Sequence, residues 1–184
     1  MDSQAIIAHT RRWIAGMVIE LSLCPFARRV FLADTIRYVV TPAEDEQSLI
    51  RDLDAELTKL ATSSIAAVET TMLIHPCVLA NFLDYNDFLD SAEERVEALG
   101  LRGIVQIASF HPAYQFAGTQ ADAVENYTNR SPYPMLHLLR EESITAVADD
   151  ADELLTIPVR NVETLNKLGT MNIVAKLRAI KEGL

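Results

Sequence analysis

The sequence predicts an α/β fold: a small, mainly parallel sheet of about three strands with a βαβαβ core, an N-terminal helix and C-terminal helices. Two observations support this class. Short β-branched segments alternate with longer segments whose apolar residues recur every three or four positions, which is the pattern of right-handed crossover units. The chain has 184 residues, of which 49% are apolar, so we expect one domain over residues 1–184.

Spacing and capping signals predict the elements of the N-terminal part. Apolar residues at helical spacing indicate a helix over about residues 4–22, which Pro25 ends. The segment Ile36–Val40 is β-branched and aromatic and predicts the first strand. Thr41 to Glu44 match a capping box, so we expect the second helix to begin there. The buried stripe of that helix is expected to be Leu49, Leu53, Leu57 and Leu60.

The middle of the chain repeats the alternation. Val68–His75 predicts the second strand, and Ile104–Phe110 predicts the third. Between them lies a helical pattern that begins near Phe82 and ends at Gly100, the residue type that a left-handed helix end commonly needs. These segments complete the predicted βαβαβ core.

The C-terminal part is helical by pattern. A short helix is expected after Thr119, a further helix over about residues 134–148, and two closing helices that begin at Pro158 and Thr170. The acidic segment 149–153 is expected to be a solvated connection.

Charge and hydropathy exclude several classes of function. The net charge is −10 and the basic residues form no long stripe, which is unfavourable for a partner with a phosphate backbone. The N-terminus carries charge within its first apolar stretch, and no apolar run approaches the roughly 18 residues that span a bilayer. We therefore expect a cytoplasmic protein that binds neither nucleic acid nor membrane. The oligomeric state is left open.

Cysteine and glycine patterns bear on cofactors. Cys24 and Cys77 are far apart and outside any CxxC motif, so both thiols are expected to be reduced, and Cys24 to be a packed residue. Neither GxGxxG nor GxxxxGK[ST] occurs, so a nucleotide held by such a loop is not expected. The sequence predicts no cofactor.

Two histidines each precede a proline at the end of a predicted strand. His75 and His111 are therefore held extended, because the proline ring disfavours the helical region for the residue before it. The carboxyl ends of parallel strands are where open α/β sheets usually bind ligands. We expect the two imidazoles to share one ligand if their strands are neighbours. In the alternative reading, His-Pro merely ends each strand.

A polar segment precedes the helix predicted from Pro134. Asn129, Arg130 and Ser131 would lie beside the free amides of that helix, which favours an anion-binding site. Alternatively, Asn129 and Ser131 cap a turn and Arg130 pairs with an acid. His137 would lie in the first helical turn, either as a third imidazole facing the strand ends or as a surface histidine paired with Glu141.

These residues suggest three functions. The first is a small cytoplasmic enzyme acting on a phosphate- or carboxylate-bearing metabolite, with His75, His111 and His137 as catalytic candidates in acid–base chemistry. The second is a non-catalytic small-molecule-binding or protein-interaction domain. The third is a metal protein in which the same histidines bind zinc, although their spacing matches no zinc motif.

Four segments resemble a known family. They are "LCPFA" (23–27), "HP" with the later "FLDYNDFL" (82–89), "QIASFHPAYQF" (106–116) and "NRSPYPMLHLLRE" (129–141). With them the chain resembles the bacterial proteins grouped as domain of unknown function 1415, over nearly its whole length. The resemblance implies no particular reaction and no catalytic residues.

Overall fold

The computed structural model describes residues 2–146 and 151–183, without the side chains of residues 151–155. The α-helices are α1 (Ser3–Trp13), α2 (Ala27–Leu32), α3 (Glu46–Thr62), α4 (Phe82–Ala98), α5 (Glu141–Thr145), α6 (Ala151–Leu168) and α7 (Thr170–Glu182). The strands are β1 (Ile36–Val40), β2 (Thr70–Ile74), β3 (Val105–Phe110) and β4 (Met135–Arg140). A π-helix spans Ile14–Ile19, and a 3₁₀-helix spans Val124–Thr128.

The four strands form one mixed sheet in the order β1-β2-β4-β3. β1 and β2 are parallel, whereas β4 is antiparallel to both of its neighbours. The α/β class is confirmed, but the predicted mainly parallel sheet of about three strands is only partly matched. The difference arises because β4 inserts between β2 and β3.

Residues 134–148 were expected to form a helix, and this prediction is wrong. The segment Met135–Arg140 is a strand covered on both faces, so apolar residues occur at almost every position and the period of two is hidden. Its leucines also favour helix as isolated residues. Within the described part of this segment, residues 134–146, only Glu141–Thr145 is helical.

The sheet is packed between two layers of helices. Leu136 and Leu138 of β4 face α3 and α4, where the predicted leucine stripe of α3 is fully buried. Met135 of β4 faces the other layer, which contains Trp13 and Ile173. This division follows from the alternation of side chains along each strand.

Several helix boundaries differ from the predicted ones. α3 begins at Glu46, with Asp45 and Ser48 forming the capping box. Thr41 instead accepts the Ala43 N–H, so its hydroxyl fixes the turn that leads to the helix. The end of α4 is confirmed, since Gly100 has φ +70°.

The first predicted helix is interrupted. α1 ends at Trp13 and is continued by the π-helix, a rare element that often occurs at functional sites. At the other end of the chain, Pro158 lies inside α6, whereas the start of α7 at Thr170 is confirmed. Of the expected acidic connection, residues 149 and 150 lie outside the described residues, and the rest begins α6. Among the described helices, none combines the length and apolar character that a membrane-spanning segment needs.

Candidate functional site

His75 and His111 lie on the same face of the sheet, although β4 separates their strands. Each ring packs against Tyr85 of α4, with ring centroids 5.7 Å apart for His75 and 5.1 Å apart for His111. The two side chains are almost completely buried, at 0% and 1% exposure. The strand ends therefore bring both imidazoles to one region, but that region is closed.

The main chain occupies most of the polar atoms of these rings. His75 Nδ1–H donates to the Val78 carbonyl at 3.0 Å. His111 Nε2–H donates to the Leu79 carbonyl at 3.2 Å, and its Nδ1 accepts the Ala113 N–H at 3.0 Å. Burial lowers the pKa of His75 to about 4, despite the opposing effect of its bond to Val78. Burial likewise lowers the pKa of His111.

These two histidines therefore stabilise the loops that follow their strands. Neither lines any of the three cavities considered below. Their predicted acid–base roles stay predictions that draw no support from this geometry. The Nε2 atom of His75 is buried and has no hydrogen-bond partner among the described residues.

Asn129, Arg130 and Ser131 precede a strand, so the predicted helix dipole beside them is absent from this part of the described chain. The Arg130 guanidinium donates to main-chain carbonyls, Nε to Tyr114 at 3.2 Å and Nη2 to Ala121 at 2.5 Å. Among the described residues it therefore binds carbonyl groups, whereas the alternative reading had expected it to pair with an acid.

The two neighbours of Arg130 also bond within the loop. Asn129 Nδ2 donates to the Ser109 carbonyl at 3.0 Å, and Ser131 Oγ donates to the Tyr133 carbonyl at 2.6 Å. Both bonds tie this segment to neighbouring main chain. The predicted anion site therefore stays a prediction.

A shallow cleft of about 380 Å³ nevertheless borders two of these residues. Arg130 and Ser131 line it together with Arg178, Lys181 and Glu182 of α7. Arg178 pairs with Glu182 at 2.7 Å, whereas the Lys181 ammonium has no ion pair within the described ranges. The cleft thus carries more positive than negative charge.

His137 lies in the middle of β4 and not in a helical turn. It is paired with Met72 of β2 and Ala108 of β3, on the face opposite to His75 and His111. Because strand side chains alternate between faces, the three imidazoles cannot meet, and the alternative of a three-histidine zinc site is wrong. The described residues contain no group of three or more potential metal ligands.

A cavity of about 400 Å³ lies over this second face. Its floor consists of sheet residues: Thr70, Met72, Gln106, Ala108, His137 and Leu139. Its walls come from the first helices, including Trp13, Ile14 and Val18, and from the segment that begins at Cys24. α1 packs over β1, so the half of the face formed by β3 and β4 is left open to the cavity.

The hydrogen bonds of His137 define its tautomer. Nε2 lies 2.5 Å from Thr70 Oγ1, and the same hydroxyl donates to the Leu138 carbonyl at 2.7 Å. Since a hydroxyl has one proton, Thr70 must accept the N–H of His137 Nε2. Nδ1 then carries a lone pair and has no partner in the described chain. Burial lowers the pKa of His137 to about 3, so the ring is neutral near pH 7.

An ion pair borders the same cavity. The exposed Arg29 donates through both terminal nitrogens to the buried carboxylate of Glu69. Burial raises the pKa of Glu69, but hydrogen bonds from Arg29 and Ser143, with the Arg29 charge, outweigh this and place the pKa below its ordinary value. At this border of the cavity, the charges of Arg29 and Glu69 therefore neutralise each other.

Cys24 lies between the π-helix and α2 and also lines the cavity. Burial raises the pKa of its thiol, and the N–H groups of Phe26 and Ala27 only partly oppose this. The thiol is therefore protonated near neutral pH, as expected for a packed cysteine.

Comparison with known proteins identifies the family of this chain. The model of the family described as "Protein of unknown function (DUF1415)" matches residues 5–175. The chain belongs to this family. No curated protein and no solved structure matches it. The resemblance drawn from the four sequence segments is thereby confirmed.

Three of those four segments border the cavity of this DUF1415 chain. They contribute Cys24, Ala108 and His137, among other lining residues. Sequence reasoning identified His137 but missed Thr70, which fixes the tautomer. Only the strand pairing of β4, which the sequence pattern hides, brings these residues together.

Proposed function

We propose that the chain binds a small, mainly apolar molecule that carries a hydrogen-bond donor, in the cavity over the second sheet face. The observation that supports this is a neutral imidazole, His137, whose Nδ1 has no partner among the described residues and which lines an otherwise largely apolar cavity. Apolar concave sites with a few placed polar groups are the usual form of small-molecule sites.

Apolar lining supplies the affinity in this proposal. The cavity volume of about 400 Å³ falls in the range of ligand pockets. Its residues include Trp13, Ile14, Met72 and Leu139, which offer no charge to a ligand. Each buried methylene of the ligand contributes about 0.8 kcal/mol.

The hydrogen-bonding group supplies specificity. His137 Nδ1 is an acceptor, since the ring donates through Nε2 to Thr70. A ligand with a hydroxyl or N–H group donates a hydrogen bond to His137 Nδ1. A ligand with only acceptors leaves both His137 Nδ1 and its own acceptor without a hydrogen bond. The ring stays neutral because burial holds its pKa at about 3.

The test uses the only tryptophan of the chain, Trp13, which lines the cavity. Its fluorescence is recorded during titration with para-cresol and with the methyl ether of para-cresol, which lacks the donor. We expect the phenol to bind about tenfold more tightly. His137→Leu should remove this preference, and His9→Leu, a histidine outside the cavity, should keep it. Equal binding of both compounds to the unmodified protein refutes the role of His137.

The enzyme predicted from the sequence is a second candidate, because the cleft beside Arg130 and Ser131 presents the unpaired ammonium of Lys181 to an anion. Inorganic phosphate should then raise the melting temperature of the protein, and Lys181→Gln should reduce that shift. Loss of turnover in His111→Asn with the fold intact would support acid–base catalysis. The cytoplasmic location also stays a prediction.

A further inference from the structure

A second cavity of about 560 Å³ adjoins the first. The two share three lining residues, Val18 of the π-helix, Cys24 and Phe110. Phe110 packs edge-on against Trp13, with ring centroids 5.2 Å apart, and its ring lies 6.2 Å from that of His137. The two cavities are therefore neighbours, and the three side chains common to both form their shared wall.

The second cavity offers hydrogen-bond acceptors. Asn129 and Asn161 use their amide N–H groups on main-chain carbonyls. Asn129 Oδ1 already accepts the Thr128 hydroxyl at 2.9 Å, whereas Asn161 Oδ1 accepts no hydrogen bond from the described residues. Glu125 is half-buried, and its carboxylate forms no ion pair or hydrogen bond with the residues that the structure describes. Among the described lining residues, Glu125 carries the only formal charge. A carboxylate in this setting favours a cationic partner.

We propose that the two cavities together hold one elongated ligand: an apolar chain with a neutral donor at one end, bound by His137, and a protonated amine at the other, bound by Glu125. This inference rests on the proposed function, because the apolar chain occupies the first cavity. The ligand class is thus an amphiphilic amine, such as an amino alcohol with a long methylene chain. The net charge of −10 favours the approach of such a cation.

The methylene chain of the proposed ligand would lie against the shared wall of the two cavities. A molecule that reaches both acceptors has to pass Val18, Cys24 and Phe110, which are apolar or weakly polar and suit methylene groups. Added methylenes tighten binding about fourfold each while they are buried. Affinity should therefore rise along a series of ω-amino alcohols until both ends are bound and then stop rising.

The experiment compares octanol with ω-aminooctanol by Trp13 fluorescence. We expect the amino alcohol to bind about tenfold more tightly, as a charge-assisted hydrogen bond to Glu125 predicts. Glu125→Gln should bring the two affinities together while leaving octanol binding unchanged. The matched control is Glu44→Gln, which removes an exposed carboxylate remote from both cavities.

A second variant tests the passage between the cavities. Val18→Phe enlarges the shared wall, so it should abolish the preference for the amino alcohol over octanol. Equal affinity of octanol and ω-aminooctanol in the unmodified protein overturns the inference and leaves the proposed function standing. Absence of any Trp13 response to para-cresol overturns the proposed function itself. If Val18→Phe does not fold, the result with Glu125→Gln decides.

Discussion

Tyr85→Phe should weaken the fold more than the loss of one hydroxyl suggests. Tyr85 is fully buried in α4 and its hydroxyl donates to the Met135 carbonyl at 2.9 Å. The same oxygen accepts the N–H of Phe110 at 3.0 Å. Phe110 and Met135 are register partners at the end of the β3–β4 ladder. The hydroxyl therefore bridges the two strands where they leave the sheet.

The size of the effect follows from what is left unpaired. Phenylalanine keeps the ring that packs between His75 and His111 but leaves one buried carbonyl and one N–H group without a partner. Such groups cost about 1–3 kcal/mol each, so for the two groups we expect a loss of about 2–6 kcal/mol in the free energy of unfolding. If the free energy of unfolding falls by about 2 kcal/mol per M of urea, the midpoint of urea denaturation should fall by at least about 1 M.

Urea denaturation followed by circular dichroism measures this loss. The matched control is Tyr114→Phe, because the Tyr114 hydroxyl is half-buried and makes only a long bond, 3.3 Å, with Ser109. Its midpoint should stay within about 0.2 M of the unmodified protein. If Tyr85→Phe shifts the midpoint no more than Tyr114→Phe does, the bridging role of the Tyr85 hydroxyl is refuted.

Three further predictions concern stability. Burial holds the pKa of His75 at about 4 and of His137 at about 3, so the unfolded chain binds more protons below its histidine pKa of about 6.5. The stabilisation is therefore fully present above about pH 6.5, and the free energy of unfolding should fall by about 3 kcal/mol per imidazole by pH 4. Urea titrations at several pH values measure this fall, and His137→Leu should make it smaller. Arg140→Met should lower the free energy of unfolding by about 2–4 kcal/mol, because the buried Arg140 guanidinium donates to carbonyls at the end of α3. Arg102→Met, at an exposed arginine, should lower it little, and equal losses in the two variants would contradict this reasoning. Gly100 has φ +70°, a conformation that costs a residue with a β-carbon about 1 kcal/mol. Gly100→Ala should therefore lower the melting temperature by a few degrees, and an unchanged melting temperature would show that the loop adjusts.

Local signals were sufficient for β1, β2, β3, α3 and α4, whereas α2 and the π-helix were not predicted. The strand segments around β1, β2 and β3 are rich in β-branched residues, and the leucines of α3 recur on one face. Gly100 ends α4 as predicted. The helices α3 and α4 each bury one stripe, so their period is visible in the sequence, whereas β2 is buried at every position and is recognised by its β-branched residues.

β4 could not be predicted in the same way. Its residues are apolar on both faces because helices cover both sides of the sheet, and a short run of this kind does not distinguish a strand from a helix. The error then propagated to the site. A helix at this position would have placed its positive dipole end beside Arg130 and Ser131 and would have placed His137 in its first turn.

The alternation of side chains along the strands decides which histidine can meet a ligand. His75 and His111 each follow the last residue of a strand and turn towards α4, where Tyr85 and main-chain carbonyls enclose them. His137, at an interior position of β4, turns to the opposite face, which the first helices cover only in part. A register shift of one residue in β4 would bury this imidazole among the leucines of the α3 face and turn a leucine into the cavity. The proposed ligand binding at His137 therefore depends on the pairing of β4 with β2 and β3.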